Sequence, residues 1–383
     1  MAERIPTVRI SPDNQTVLQN LGLLKELAGN WHGHGFNLVA RPAFEFNQNL
    51  FLELNLTDET LKFDPISSSI PNRGTFQEDI ELFGLTYLQK ISDATTGGAL
   101  HIEPGIWVTQ PTTSQPPESA PVGGQIVARM GNIPHGNSVL IGGSATKFTG
   151  GPPVLGAPTT SGNPAGSIFP SFNSTPEVVQ SPVPAAGTSE FAAKANGGFT
   201  EYTLTNAFSP TNPRTPLGNV PPILAPAITQ TLLNDPITLL QAHVQNQLAE
   251  GYTFEEVITL NIATQSSISF LTTPPPPVTT PPITAPPPGP SVTVSLAQAV
   301  GGAENLQFLQ TNAATMLVYA TFWIEKLSHP DRPPRMQLQY AQMVMLQFPA
   351  ILIPSNVPGI SKNGKLNFCW PHITVATLHK TFG

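Results

Sequence analysis

MLVYATFWIEKLSHPDRPPRMQLQYAQMVMLQF, residues 316–348, is the stretch on which the fold turns. Its two long runs, Met316–Leu327 and Met336–Phe348, alternate in the period of two that marks a β-strand. His329-Pro330-Asp331-Arg332-Pro333-Pro334 lies between them and is rich in turn formers, so the runs are expected to pair as a hairpin. The same period recurs upstream, where Leu50, Leu52, Leu54 and Leu56 alternate with Phe51, Glu53 and Asn55. It predicts further strands at Trp31–Ala40, Ile80–Ile91, Ala99–Thr109, Gln125–Met130, Ser138–Phe148, Phe254–Thr264 and His372–Phe382. Short Gly, Pro, Asn and Asp clusters separate most of them at spacings suited to antiparallel neighbours. Nine or ten such strands leave unpaired edges unless the sheet closes, so the expected fold is mainly β, an antiparallel barrel with room inside for a ligand.

Two helices accompany the strands. Ser11 and Pro12 read as an N-cap followed by proline at the first helical position, and Val17, Leu18, Leu21, Leu24 and Leu27 then form one apolar face up to Gly29. Ile228–Glu250 is a second helical stretch, with a break expected at Asn234-Asp235-Pro236. Gly150–Pro222 interrupts the pattern with Gly, Pro, Ser and Thr and almost no charge. Phe169, Phe172, Phe191, Phe199, Tyr202 and Phe208 lie in it, and disordered linkers are poor in aromatics, so the segment is expected to pack over the barrel or a neighbouring subunit. Pro274–Pro290 holds ten prolines in seventeen residues and reads as a polyproline II spacer. The expected organisation is one composite domain: first strands in 11–149, a Gly/Pro-rich insertion with a helix in 150–250, a strand in 251–273, the spacer in 274–290 and the last strands in 291–383.

Composition narrows the function. Seventeen basic residues against twenty-four acidic ones, with no cationic run, argue against a nucleic-acid partner. A single cysteine, Cys369, excludes an internal disulfide and multi-cysteine zinc sites. No apolar run approaches the roughly 20 residues of a membrane-spanning helix, and Met1–Ile10 lacks a signal-peptide core. The expectation is a soluble, cytoplasmic protein without membrane contact. No GxSxG, P-loop or GxGxxG motif is present.

The chemistry-bearing residues are mostly histidines. His32 and His34 stand two apart on a predicted strand, share a face, and could chelate a metal with a third ligand from His101, Glu103 or His135. His101 and Glu103 also share a face, and a polar pair turned into a barrel becomes an acid–base pair. His135 sits in the turn Ile133-Pro134-His135-Gly136, and Arg129 precedes it on the same strand. His372 opens the last strand, with Thr374, Ala376 and Leu378 on its own face, an apolar setting in which one imidazole could hold porphyrin iron. Each also has a bland alternative, as a hydrogen-bonded wall, turn or core residue.

Three segments, in order, are similar to the nitrobindin-type haem-binding barrels of the calycin group: Leu24–Gly33 (LKELAGNWHG), Leu100–Val108 (LHIEPGIWV) and His372–Lys380 (HITVATLHK). The resemblance implies a calycin/lipocalin-like β-barrel that binds b-type haem (heme b) with His372 as the iron ligand. It also implies chemistry at ferric iron: nitric oxide binding, peroxynitrite isomerisation or peroxide reactions. On that reading Trp31 is a packing anchor of the cofactor site, His34 or His135 a distal group, and His101 and Glu103 polar supports. Family members are compact single barrels, and the insertion and spacer of this chain depart from that pattern. Two other readings stand beside it. One is a haem-free enzyme acting on a bulky apolar metabolite with His101, Glu103, Arg129 and His135 as catalytic groups. The other is a lipocalin-like carrier or homo-oligomer presenting Phe322, Trp323, Met343 and Met345 at an interface.

Overall fold

The computed structural model describes residues 13–43, 45, 48–120, 122–153, 155, 204, 209, 214–215, 228–234, 236–264, 267–271, 291–295, 301–349 and 367–381. Ten long strands build the barrel: β1 Gly29–Ala43, β2 Gln48–Pro65, β3 Ile80–Asp93, β4 Ala99–Gln110, β5 Gly124–Ile133, β6 Asn137–Thr149, β7 Thr253–Ala263, β8 Ala314–His329, β9 Arg332–Pro349 and β10 Asn367–Thr381. Each pairs antiparallel with the next, β7 follows β6 across the insertion, and β10 returns to β1. Closure removes the free edges, and every strand read from the period-two pattern is present. The β8–β9 ladder reaches His329↔Arg332, which shrinks the connection to Pro330 and Asp331.

Alternation divides the side chains between two cores. Trp31, Phe63, Trp107, Ile141, Leu260, Phe322, Leu338 and Leu378 fill the interior, while Phe36, Leu54, Trp323, Met343, Ile373 and Val375 face out and are covered. The cover is a broken helix, α2 Gln230–Asn234 and α3 Ile237–Ala249 once α1 is taken as Asn14–Leu21. Pro236, which has no N–H to donate, sits at the break, and Leu233, Ile237, Leu240 and Val244 press onto the outer wall. Burial on both faces explains why β8 and β9 carry large apolar residues on both, as at Phe322 and Trp323 or Tyr340 and Met343. It also corrects one expectation: Phe322, Trp323, Met343 and Met345 are all buried within the chain and present no surface to a second copy.

The opening helix begins later than the Ser11–Pro12 signal suggests. Asp13 is the N-cap, its carboxylate accepting the Thr16 N–H at 2.7 Å, the N3 contact that an aspartate makes well; Ser11 and Pro12 lie outside the described residues. The α-helix also stops at Gly22 (φ +57°), seven residues before Gly29, and a 3-10 turn over Gly22–Leu27 completes the segment. Val17, Leu21, Leu24 and Leu27 plug the lower end of the barrel.

Of the insertion, Leu155 and Leu204 pack on the outer core, Thr215 donates its N–H to the Leu52 carbonyl at 2.8 Å, and Leu54 donates to the Thr215 hydroxyl at 3.0 Å. Its six aromatics and the 274–290 spacer lie outside the described residues. The spacer's flanks, Ser267–Leu271 and Ser291–Ser295, pair with each other.

Candidate functional site

Inward-facing positions are apolar in the lower barrel and polar in the upper barrel. On β2, Phe63 and Leu61 point inside, so Glu59 and Thr57 must follow them. The same logic turns His101 and Glu103 of β4 and Arg129 of β5 inward. Glu103 and Arg129 are 1% and 2% exposed. Arg129 donates from Nη2 to Glu103 Oε1 (2.6 Å), from Nε to the Tyr87 hydroxyl (3.0 Å) and from Nη1 to Gln342 Oε1 (2.7 Å). Tyr87 donates its hydroxyl to the same Glu103 oxygen, and His101 Nε2 stands 3.1 Å from Glu103 Oε2. Burial alone would raise the Glu103 pKa, but the Arg129 charge with hydrogen bonds from His101 and Tyr87 brings it down to about 2. An ionised carboxylate only accepts, so His101 Nε2 carries the proton and, in the neutral ring, Nδ1 the lone pair. Gly131 makes room for the pair: a Cβ there would fall 2.3 Å from Glu103 Oε1 and 2.6 Å from the Tyr87 hydroxyl.

Glu59 centres a second polar cluster inside the barrel. Tyr340 donates to its Oε2 at 2.5 Å, Thr57 to its Oε1 at 2.8 Å, and Gln89 supports the Tyr340 hydroxyl at 3.0 Å. With no cation paired to it, burial outweighs these bonds and lifts the Glu59 pKa from 4.5 to about 7. A carboxyl whose folded pKa is raised contributes stability that is full below the unfolded value and is lost as pH rises through the folded one. Wild type should therefore lose about 2–3 kcal/mol more than Glu59→Gln between pH 5 and pH 8. Urea unfolding of both proteins at the two pH values measures this, and parallel losses would show Glu59 titrating normally.

A seam in the sheet flanks the network at His101. β4 begins at Ala99 but pairs with β5 only over Gly105–Gln110, so among the described residues Ala99–Pro104 has no ladder on that side. The β5–β6 turn borders the gap. Gly136 (φ +117°) closes that turn, and the His135 ring stacks on His101 with centroids 6.3 Å apart. A cavity of about 450 Å³ opens here, lined by His101, His135, Ile91, Leu100, Asp58 and Lys90 among others. His372 lies on the inner face of β10. Burial, then the charges of His101 and His135, push its pKa down to about 4, and it makes no hydrogen bond among the described residues. Thr374, next on that face, accepts from Asn37 Nδ2 at 2.8 Å.

The structure thus gathers His101, Glu103, Arg129, His135 and His372 at one end of the barrel. Trp31 is elsewhere. It pairs in register with Lys380, eight positions along β1 from the Val39↔His372 pair, and donates Nε1–H to the Leu27 carbonyl at 2.7 Å under the Lys380 ammonium. It anchors the floor. His34 does not reach the interior either: with Trp31 inside, alternation sends His32 and His34 outside, where Asp58, not His101, Glu103 or His135, is their neighbour. Sequence reading passed over Tyr87, Glu59, Tyr340 and Gln342. Glu59 had a usable signal, an acid in register with the inward Leu61 and Phe63. The others are ordinary strand residues until the barrel closes.

No protein-family model and no curated protein matches the chain. Among solved structures the chain is similar to Rv2717c from M. tuberculosis, at 11% identity and a TM-score of 0.34, with 96% of this chain and 98% of that one covered. Among the described residues no helix is long and apolar enough to cross a membrane.

Proposed function

We propose that the upper barrel binds b-type haem with His372 as the iron ligand. The observation that supports this is an inward imidazole, kept neutral by its surroundings and hydrogen-bonded to nothing among the described residues. A neutral ring with a free lone pair is the form in which histidine ligates iron, so the residues present fit the group. Bound haem would supply a redox-active iron, and the resemblance set out above implies nitric oxide, peroxynitrite or peroxide as its ligands. The chain's own residues supply the rest. Glu103, held ionised by Arg129, fixes the His101 tautomer, so Nδ1 can take a proton from a bound species and pass it to solvent at the seam. The apolar lower barrel and its helical plug keep water from entering from below. Purified protein titrated with haemin should give a Soret band at one equivalent, lost or shifted in His372→Ala. No band, or one unchanged by that substitution, sinks the assignment.

The seam favours a second reading, a haem-free enzyme that admits an apolar substrate to the His101–Glu103–Arg129 network, with His135 at the entrance. Here the protein would ignore haemin and retain a lipophilic compound in native mass spectrometry, with turnover lost in His101→Ala.

A further inference from the structure

A second histidine cluster lies on the outside of the barrel, where Asp58 also borders the seam cavity while His32 and His34 do not line it. β1 reads Trp31-His32-Gly33-His34-Gly35. Trp31 faces in, so His32 and His34 face out, while the inward positions Gly33 and Gly35 carry no side chain. Asp58 of β2 is the direct register partner of His34. One of its oxygens, Oδ2, lies 3.2 Å from His32 Nε2 and 3.5 Å from His34 Nδ1, and the two rings stand edge to face with centroids 5.7 Å apart. All three side chains are between 40% and 48% exposed. On the other flank His379, the register partner of His32, buries an Nδ1 without a hydrogen-bond partner among the described residues, and its ring lies 6.0 Å from His243 of α3.

We propose that His32, His34 and Asp58 bind one divalent cation of the zinc class on the outer wall of the barrel. Two imidazoles two apart on a strand chelate from one side, and the carboxylate facing them across the ladder completes three donors. Two nitrogens and one oxygen suit zinc, copper or nickel and leave magnesium and calcium, which take oxygen ligands, poorly served. As placed, His32 hydrogen-bonds to Asp58 and His34 lies within ion-pair distance of the same carboxylate, and among the described residues no three donors already converge on a metal-sized gap. Convergence requires only rotation of the exposed imidazoles, because adjacent paired strands hold the backbones in register. A cation then sits between the two imidazoles and Asp58, and water fills its remaining positions.

Calorimetric titration of the full chain with zinc chloride tests this. The expected result is one zinc per chain, weakened on the order of tenfold or more in His34→Ala and in Asp58→Asn, with no comparable binding of magnesium or calcium. All three side chains are exposed, so circular dichroism and the melting temperature of the variants should match wild type. With one equivalent of Cu²⁺, electron paramagnetic resonance should show coupling to two imidazole nitrogens, reduced to one in His32→Ala. The proposal is overturned by absence of saturable zinc binding. Binding unchanged in the His32→Ala/His34→Ala double variant overturns it too, as does binding lost instead in His101→Ala, which would place the cation at the interior site.

Discussion

Arg129→Met is expected to destabilise the protein by about 3–5 kcal/mol, because removing one partner of a buried ion pair leaves the other charge without compensation. The guanidinium is the charge that keeps Glu103 ionised inside the barrel, and it also supplies bonds to Tyr87 and Gln342. A Glu103→Gln/Arg129→Met double variant removes both charges and should recover part of the loss. Urea unfolding of the four proteins, read as a double-mutant cycle, gives the coupling directly. A single-variant cost below 1 kcal/mol would mean that Glu103 is not a paired anion in the folded state. The pair also sets an acid limit. Its folded pKa lies below the ordinary carboxylate value, so its contribution is present above about pH 4.5 and is lost as the pH falls toward 2.

Trp31→Ala is expected to cost a similar amount, about 3–5 kcal/mol, by emptying a large volume in a fully enclosed core. Trp31 is 1% exposed, and its indole N–H holds the Leu27 carbonyl, tying the helical plug to the first strand. The loss should appear in the melting temperature and in the urea midpoint. It should leave the interior ligand endpoint untouched, because the site lies eight register positions away along β1. A variant that kept wild-type stability but lost haemin binding would move Trp31 from floor to cofactor contact.

Those two residues show where reading a one-dimensional pattern succeeds and where it stops. Trp31 and Arg129 both stand out in the sequence, yet only position in the barrel assigns their roles. Period two on ten segments is a local property of each strand, imposed by the pleat, and it survives without any knowledge of neighbours; the barrel followed from it. Parity along one strand likewise predicts that His101 travels with Glu103 and that His372 travels with Thr374. What parity cannot tell is which face is the inside, since β1, β8, β9 and β10 carry large apolar residues on both. That ambiguity sent His34 to the cofactor site in the sequence reading, when burial of Trp31 turns it outward.

By itself, then, the sequence determined the strands, the closed antiparallel sheet, the break at Pro236 and the pairing of residues along each strand. Only the tertiary structure decided which polar residues meet. Glu59, Tyr87, Glu103, Arg129 and Tyr340 come from five different strands, and register across the closed sheet brings them together inside the barrel. It also decided the charge state of each acid. Glu103 and Glu59 are both buried, and a neighbouring guanidinium holds one ionised while its absence lets burial lift the other. Electrostatic energy in a low-dielectric interior depends on distances of a few ångströms between residues far apart in the chain, and only folding sets those distances.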